Sequence, residues 1–307
     1  MTREEVLGPY APDTVLTKVH VYSRDLVYIR AIIRPLDERG VDHTLFLRWA
    51  AGEWGQFMVP HVSTSFCVID EPERKVLTLC ADGTVHTFAQ DGSGVEAIRS
   101  AGHHFSPQRV PSEIRQIGGD VYVVGMGREV FRRRAPNAWD WCGQGAADNS
   151  NVDPMGGFLD IDGFGPESLY AVGFGGEMWH YDGRRWTQID SPTNRKLESV
   201  LCIPPDLVYA TGGGGVVVRG RAGTWRVVNQ DSATGTLWTV VNFNGIPYTA
   251  SRDAIYSIGD DDLKKVDLSA LGHEVTAGYL HAKNGTMWSV GDKDVLVADD
   301  RGWREVP

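Results

Sequence analysis

The chain has 307 residues, 42% of them hydrophobic and 23% charged, an ordinary globular composition that excludes a disordered chain. Lys and Arg number 30 against 40 Asp and Glu, and the resulting net charge of −10 argues against nucleic acid and anionic membrane as partners. The 4 cysteines lie far apart with no Cys-x-x-Cys pair, so neither a zinc site nor a disulfide framework is indicated, and buried thiols are expected.

The first 13 residues, "MTREEVLGPYAPD", carry acidic residues and prolines where a signal peptide needs a basic patch and an apolar run. With no 18-residue apolar window downstream, a soluble cytoplasmic protein with an N-terminal extension over 1–13 is expected. Then comes "TKVHVYS", followed by "LVYIRAIIRPLDERGVDHTLFLRWAAGEWGQFMV", four β-type runs with an insertion in the middle. The pattern returns in "SFCVIDE" with "VLTLCADGTVHTFAQDGSGVEAI", and in "EIRQIGG" with "VYVVGMGREVFRRRAPNAWDW". Between these two copies lies "GHHF"; His103 and His104 are adjacent on an extended chain, point to opposite sides and make a poor metal pair, so a solvated loop is expected. Arg132, Arg133 and Arg134 form a basic island that fits a solvated strand end or an acidic partner. The longest irregular connection, "CGQGAADNSNVDPMGG" at 142–157, holds Asp148, Asn149, Ser150, Asn151 and Asp153 without the full spacing or distal Glu of a calcium loop.

Downstream the repetition becomes close. "FLDIDGF" precedes "LYAVGFGGEMWHYDGRRWTQI", "LESVLCI" precedes "VYATGGGGVVVRGRAGTWRVV", "LWTVVNF" precedes "PYTASRDAIYSIGDDDLKKV", and "TAGYLHA" precedes "MWSVGDKDVLVADDRGWREV". Tyr170, Tyr209 and Tyr248 recur every 39 residues and Trp288 follows 40 further on. Seven copies of four short strands, separated by Gly, Asn, Asp or Pro, predict an all-β chain: a single seven-bladed β-propeller over 14–307 with four-stranded antiparallel blades of about 39–49 residues. In the copy at 169–189, Leu169–Val172 reads as the second strand, Glu177–Tyr181 as the third and Trp186 as the start of the outer strand, with a hairpin turn at Asp182-Gly183. Trp179 and Tyr181 should then face one neighbouring blade, and Met178, His180 and Asp182 the other. Trp186, Trp225 and Trp303 are expected to anchor their blades.

A glycine-rich turn, an aromatic or aliphatic strand and then "DGRRW" resemble bacterial-neuraminidase-type repeats and photosystem II assembly-factor-like propellers, in the wider company of WD-repeat-like folds. The resemblance covers about Thr17 to Val306 and implies fold alone. "HYDGRRW" lacks the serine of a neuraminidase Asp-box, and the Trp-Asp dipeptide of WD repeats is missing from the strand ends.

No catalytic constellation is legible, and "GFGG" and "GGGG" precede strands instead of helices, so inter-strand turns and not phosphate cradles are expected. The turns between second and third strands and the connections between blades share one propeller face. That face should carry Arg128, Arg252, Asp253, Asp292 and Lys293 with the 103–104 and 142–157 loops, including Asp148, Asn149 and Asn151: a mixed-charge rim suited to a protein partner. The expected function is non-enzymatic protein binding without metal or cofactor, specifically an immunity or antitoxin-like protein, monomeric apart from its partner, that masks a basic toxin. A propeller enzyme or carbohydrate-binding lectin, and an assembly chaperone or scaffold, are the alternatives.

Overall fold

The computed structural model describes residues 1–70, 73–90, 92–100, 102–106, 108–147, 156–221, 223–228 and 233–307. Among the described residues the chain forms seven four-stranded antiparallel sheets, each ordered as its strands follow in sequence, and one two-stranded hairpin. These are the blades of a seven-bladed β-propeller, spanning 14–59, 63–97, 111–141, 158–189, 197–227, 239–265 and 279–305. The expected insertion in the first copy is helix α2 (Arg34–Asp37), between the second and third strands of blade 1. The hairpin, Arg99–Ser100 paired with His103–His104, lies between blades 2 and 3. Packing divides the chain into two units, 63–228 and the combination of 1–62 with 229–307.

Within the unit 63–228, blade 4 follows the sequence reading closely. Its second strand is Ser168–Gly173, its third Met178–Tyr181 and its outer strand Trp186–Ile189. Strand alternation sends Trp179 and Tyr181 towards blade 3, into a core with Ile117, Tyr122, Val124 and Phe158. Met178 goes the other way and packs with Leu197, Val200 and Val208 of blade 5. Both faces of the sheet are therefore buried, which is why neither set of residues is uniformly polar. Trp186 is 1% exposed and packs on Phe158 at 5.5 Å, while its indole N–H donates to the Cys142 carbonyl at 2.8 Å.

Successive inner strands are stapled by a recurring polar side chain. Ser65 Oγ accepts the Ile114 N–H of the next blade (3.4 Å), and Asp160 accepts the Val200 N–H (2.9 Å) and the Ser199 hydroxyl (2.8 Å). Arg115 reaches Asp160 from the preceding blade, with its Nη2 2.9 Å from Oδ1. Each inner strand is the edge of its sheet, so these main-chain N–H groups have no sheet partner on that side and a side chain satisfies them.

In the unit 1–62 with 229–307, Thr239 plays the same part, its Oγ1 accepting the Leu280 N–H at 2.9 Å. The first and last blades meet along a core that includes Val19, Ile29, Trp54, Trp288 and Val290. Across that seam the Val21 N–H donates to His281 Nδ1 (3.2 Å), and Trp49 and Trp288 lie 5.1 Å apart. No strand is exchanged between the two blades: Thr14–Ser23 opens blade 1 and Gly302–Glu305 ends blade 7. The N-terminal extension forms helix α1 (Arg3–Leu7), closed by a capping box between Thr2 and Glu5, and then a 3₁₀ segment, Gly8–Asp13. It inserts the buried Leu7 into the seam core, with Val6 and Ala11 beside it.

Candidate functional site

The turn between the second and third strands is closed by a main-chain hydrogen bond in blades 3 to 7. In blades 3, 4 and 5 the amides of Gly125, Gly173 and Gly212 donate to the carbonyls of Glu129, Glu177 and Val216. In blades 6 and 7 the turn is one residue shorter, closed by Ser251 on Ala254 and Gly291 on Asp294. The glycines of "GFGG" and "GGGG" thus close turns and let neighbouring backbone approach. Gly176 has φ +78°, and a Cβ there would lie 2.1 Å from the Thr193 carbonyl oxygen.

In the unit 63–228 these turns carry two buried carboxylates. Glu129 accepts from Arg109 Nη1 at Oε1 (2.6 Å) and from the Trp141 indole N–H at Oε2 (2.7 Å). His103 stacks on Trp141 at 3.7 Å, nearly parallel, with Nδ1 3.7 Å from Glu129 Oε2. Glu177 accepts from Arg128 Nε (2.6 Å) and the Trp179 indole N–H (3.0 Å) at Oε2, and from the Gly157 N–H at Oε1 (2.7 Å). Arg128, expected on an exposed rim, is therefore only 5% exposed, its guanidinium over the Trp179 ring. It takes φ +58°, as the turn demands, and this directs its side chain inward to Glu177. With donors on both oxygens, the two glutamates brace the turns against the connections entering the blades. His104 is exposed, on the other side of the extended chain from His103. Asp148, Asn149 and Asn151 lie outside the described residues.

The basic island in the same unit is internally neutralised. Arg132 pairs with Asp120, Arg133 with Glu96 through two bonds (2.6 and 2.9 Å), and Arg134 with Asp140 at 2.6 Å. His180 lies 3.1 Å from Ser168 Oγ and 4.6 Å from the Tyr170 ring, as a packed strand residue. Burial pulls its pKa below the usual imidazole value, against the opposing effect of Asp182.

In the unit 1–62 with 229–307, Arg252 and Asp292 from neighbouring turns are ion-paired, and Arg252 is 74% exposed. Asp253 is exposed and accepts the Ser251 hydroxyl (2.8 Å), and Lys293 is exposed beside it in sequence order with Asp292. Trp238 and Tyr279, at the starts of the inner strands of blades 6 and 7, have ring centres 6.2 Å apart. Trp238 is 37% exposed and was not singled out among the candidate site residues. A signal lay in its column of the repeat, where neighbouring copies hold Leu159, Glu198 and Gly278. A column that accepts a charge is not one facing the core.

No protein-family model matches the chain. It is 31% identical over 293 residues to the immune protein Tsi7 of Pseudomonas aeruginosa, a match covering 93% of this chain and 95% of that protein. Among solved structures it is similar to YCF48 from Cyanidioschyzon merolae (TM-score 0.67, 13% identity, 95% of this chain and 96% of that one). It is also similar to the WD40 β-propeller domain of Doa1 (TM-score 0.62, 9% identity, 95% and 92%). These two likenesses bear out the fold-level resemblance read from the repeats. The chain belongs to the family of the immune protein Tsi7.

Proposed function

We propose that this member of the Tsi7 family is a non-enzymatic, cytoplasmic immunity protein that neutralises a toxin by binding it directly, and is monomeric apart from that partner. The observation that carries the reading is the identity with an immune protein running through nearly the whole of both chains. The net charge of −10 favours a basic toxin, attracted over distances that short-range contacts do not reach. No helix of the described residues is long and apolar enough to cross a membrane.

The contact residues we assign are Trp238, Tyr279, Arg252, Asp253, Asp292 and Lys293 in the unit 1–62 with 229–307 and, separately, His103 and His104 in the unit 63–228, where Arg128 supports a turn from beneath. Asp148, Asn149 and Asn151 belong to the same set by their place in the longest connection. An exposed tryptophan with Tyr279 beside it, and an arginine among the assigned charges, is the composition of an interface hot spot, where one aromatic anchor contributes most and the charged rim sets register. Co-expression with a toxin encoded beside this chain should restore growth and yield a complex that copurifies without any metal. Trp238→Ala should weaken that complex by about thirtyfold or more, the equivalent of about 2 kcal/mol. Absence of both rescue and complex with every neighbouring toxin candidate overturns the function; a complex indifferent to Trp238→Ala and to Arg252→Ala/Lys293→Ala overturns the surface.

A further inference from the structure

Three elements of blade 7 converge on one point. His273 lies in the connection entering the blade, Asp294 ends the turn between its second and third strands, and Glu305 ends its outer strand. His273 Nε2 is 3.9 Å from Asp294 Oδ1 and 3.7 Å from Glu305 Oε1, and one ligand atom from each residue falls within 4.8 Å of the others. From these positions we infer that the triad is a divalent transition-metal site, suited to Zn²⁺.

The supporting atoms are arranged for that task. His273 Nδ1 lies 3.1 Å from the Leu271 carbonyl, an acceptor that fixes the proton on Nδ1 and leaves the Nε2 lone pair facing the two carboxylates. A lone pair and two anionic oxygens around one point repel one another unless a cation sits among them. Asp294 is held from behind: its Oδ2 accepts the Thr276 N–H (2.5 Å) and hydroxyl (2.7 Å), leaving Oδ1 to face His273. Bonds of about 2.0–2.2 Å to a tetrahedral ion place its donors roughly 3.3 Å apart, so the two carboxylates need to close by about half an ångström on His273 and by up to about 1.5 Å on one another, within reach of exposed side-chain rotation. The imidazole selects Zn²⁺ and its transition-metal neighbours over Mg²⁺ and Ca²⁺, which prefer all-oxygen shells. With His273 and Glu305 side chains 41% and 50% exposed, solvent completes the shell. The competing cation is Arg3 of α1, which interacts electrostatically with both Asp294 and Glu305.

Calorimetric titration of the full chain with Zn²⁺ should show saturable one-to-one uptake at micromolar concentration, with proton release, and no comparable uptake of Mg²⁺ or Ca²⁺. His273→Ala should weaken it by at least about tenfold, Glu305→Gln should weaken it too, and Arg3→Gln should tighten it. Co²⁺ bound to the wild-type chain should give visible absorption bands that His273→Ala removes. Melting of each variant without metal checks its fold. Lack of one-to-one Zn²⁺ uptake at millimolar concentration, or uptake unaltered in both His273→Ala and Glu305→Gln, reduces the triad to a surface cluster of polar side chains and overturns the site. Neither result depends on toxin binding.

Discussion

Asp299 shows what one carboxylate can organise. Its side chain is 1% exposed at the end of the third strand of blade 7, with Arg304 Nη1 at 2.9 Å, Arg301 Nη2 at 3.1 Å and Arg24 of blade 1 at 3.9 Å. Burial pushes its pKa up, but hydrogen bonds from the Arg301 side chain and N–H, and then from Arg304, outweigh that and hold it well below the usual carboxylate range. A pKa lowered on folding means that the unfolded chain binds the proton more readily. The stabilisation is therefore present above about pH 4 and is lost as pH falls towards the folded value. Asp299→Asn should cost on the order of 2 kcal/mol at pH 7, and its urea midpoint should converge on that of the wild type in strong acid. Partnerships of this kind were legible in the sequence only where they follow the repeat. Arg252 and Asp292 are 40 residues apart, one blade period. Arg128 and Glu177 are 49 apart because the 142–157 connection lengthens that step, and nothing local to Arg128 announces its burial. His273 was invisible for another reason: it meets Asp294 and Glu305 only once the connection has folded back over the turn.

At the scale of the strand, the two-residue alternation and the Asp182-Gly183 turn placed the start of Trp186–Ile189 to the residue, because a buried aromatic after a hairpin turn leaves little choice of register. The anchoring tryptophans nevertheless differ in depth. Trp186 is fully enclosed, whereas Trp225, beside Tyr170 at 5.9 Å, and Trp303 are half-buried. Trp186→Ala should destabilise by roughly 3–5 kcal/mol, and Trp225→Ala and Trp303→Ala by clearly less, in denaturant titrations of the three variants. Equal losses would mean that depth in the blade does not set the anchor's contribution. The staples between inner strands escaped the sequence reading because Ser65, Asp160 and Thr239 share a place in the repeat but not a chemistry. Each can accept one hydrogen bond, and that is all the neighbouring N–H requires.

Over the whole molecule, acidic charge acts at a range no single contact reaches. If the partner is basic, the association rate should fall by about tenfold or more from low to physiological ionic strength in stopped-flow mixing, with dissociation little changed. A rate indifferent to salt would count against a basic toxin. The seam between the first and last blades has a separate, kinetic consequence. Within each unit, other successive blades are also joined by the chain itself, whereas this pair is held by side chains and by α1 lying across them. Thermal breathing should therefore concentrate there, opening the seam without unfolding either sheet. In native-state hydrogen exchange the Val21 amide, bound to His281, should be released at lower free energy than the Val200 amide bound to Asp160, and removal of residues 1–13 should widen the gap. Identical exchange energies at the two amides would show that the seam parts only when everything does. Otherwise the molecule carries, between its first blade and its last, a line along which it loosens before it melts.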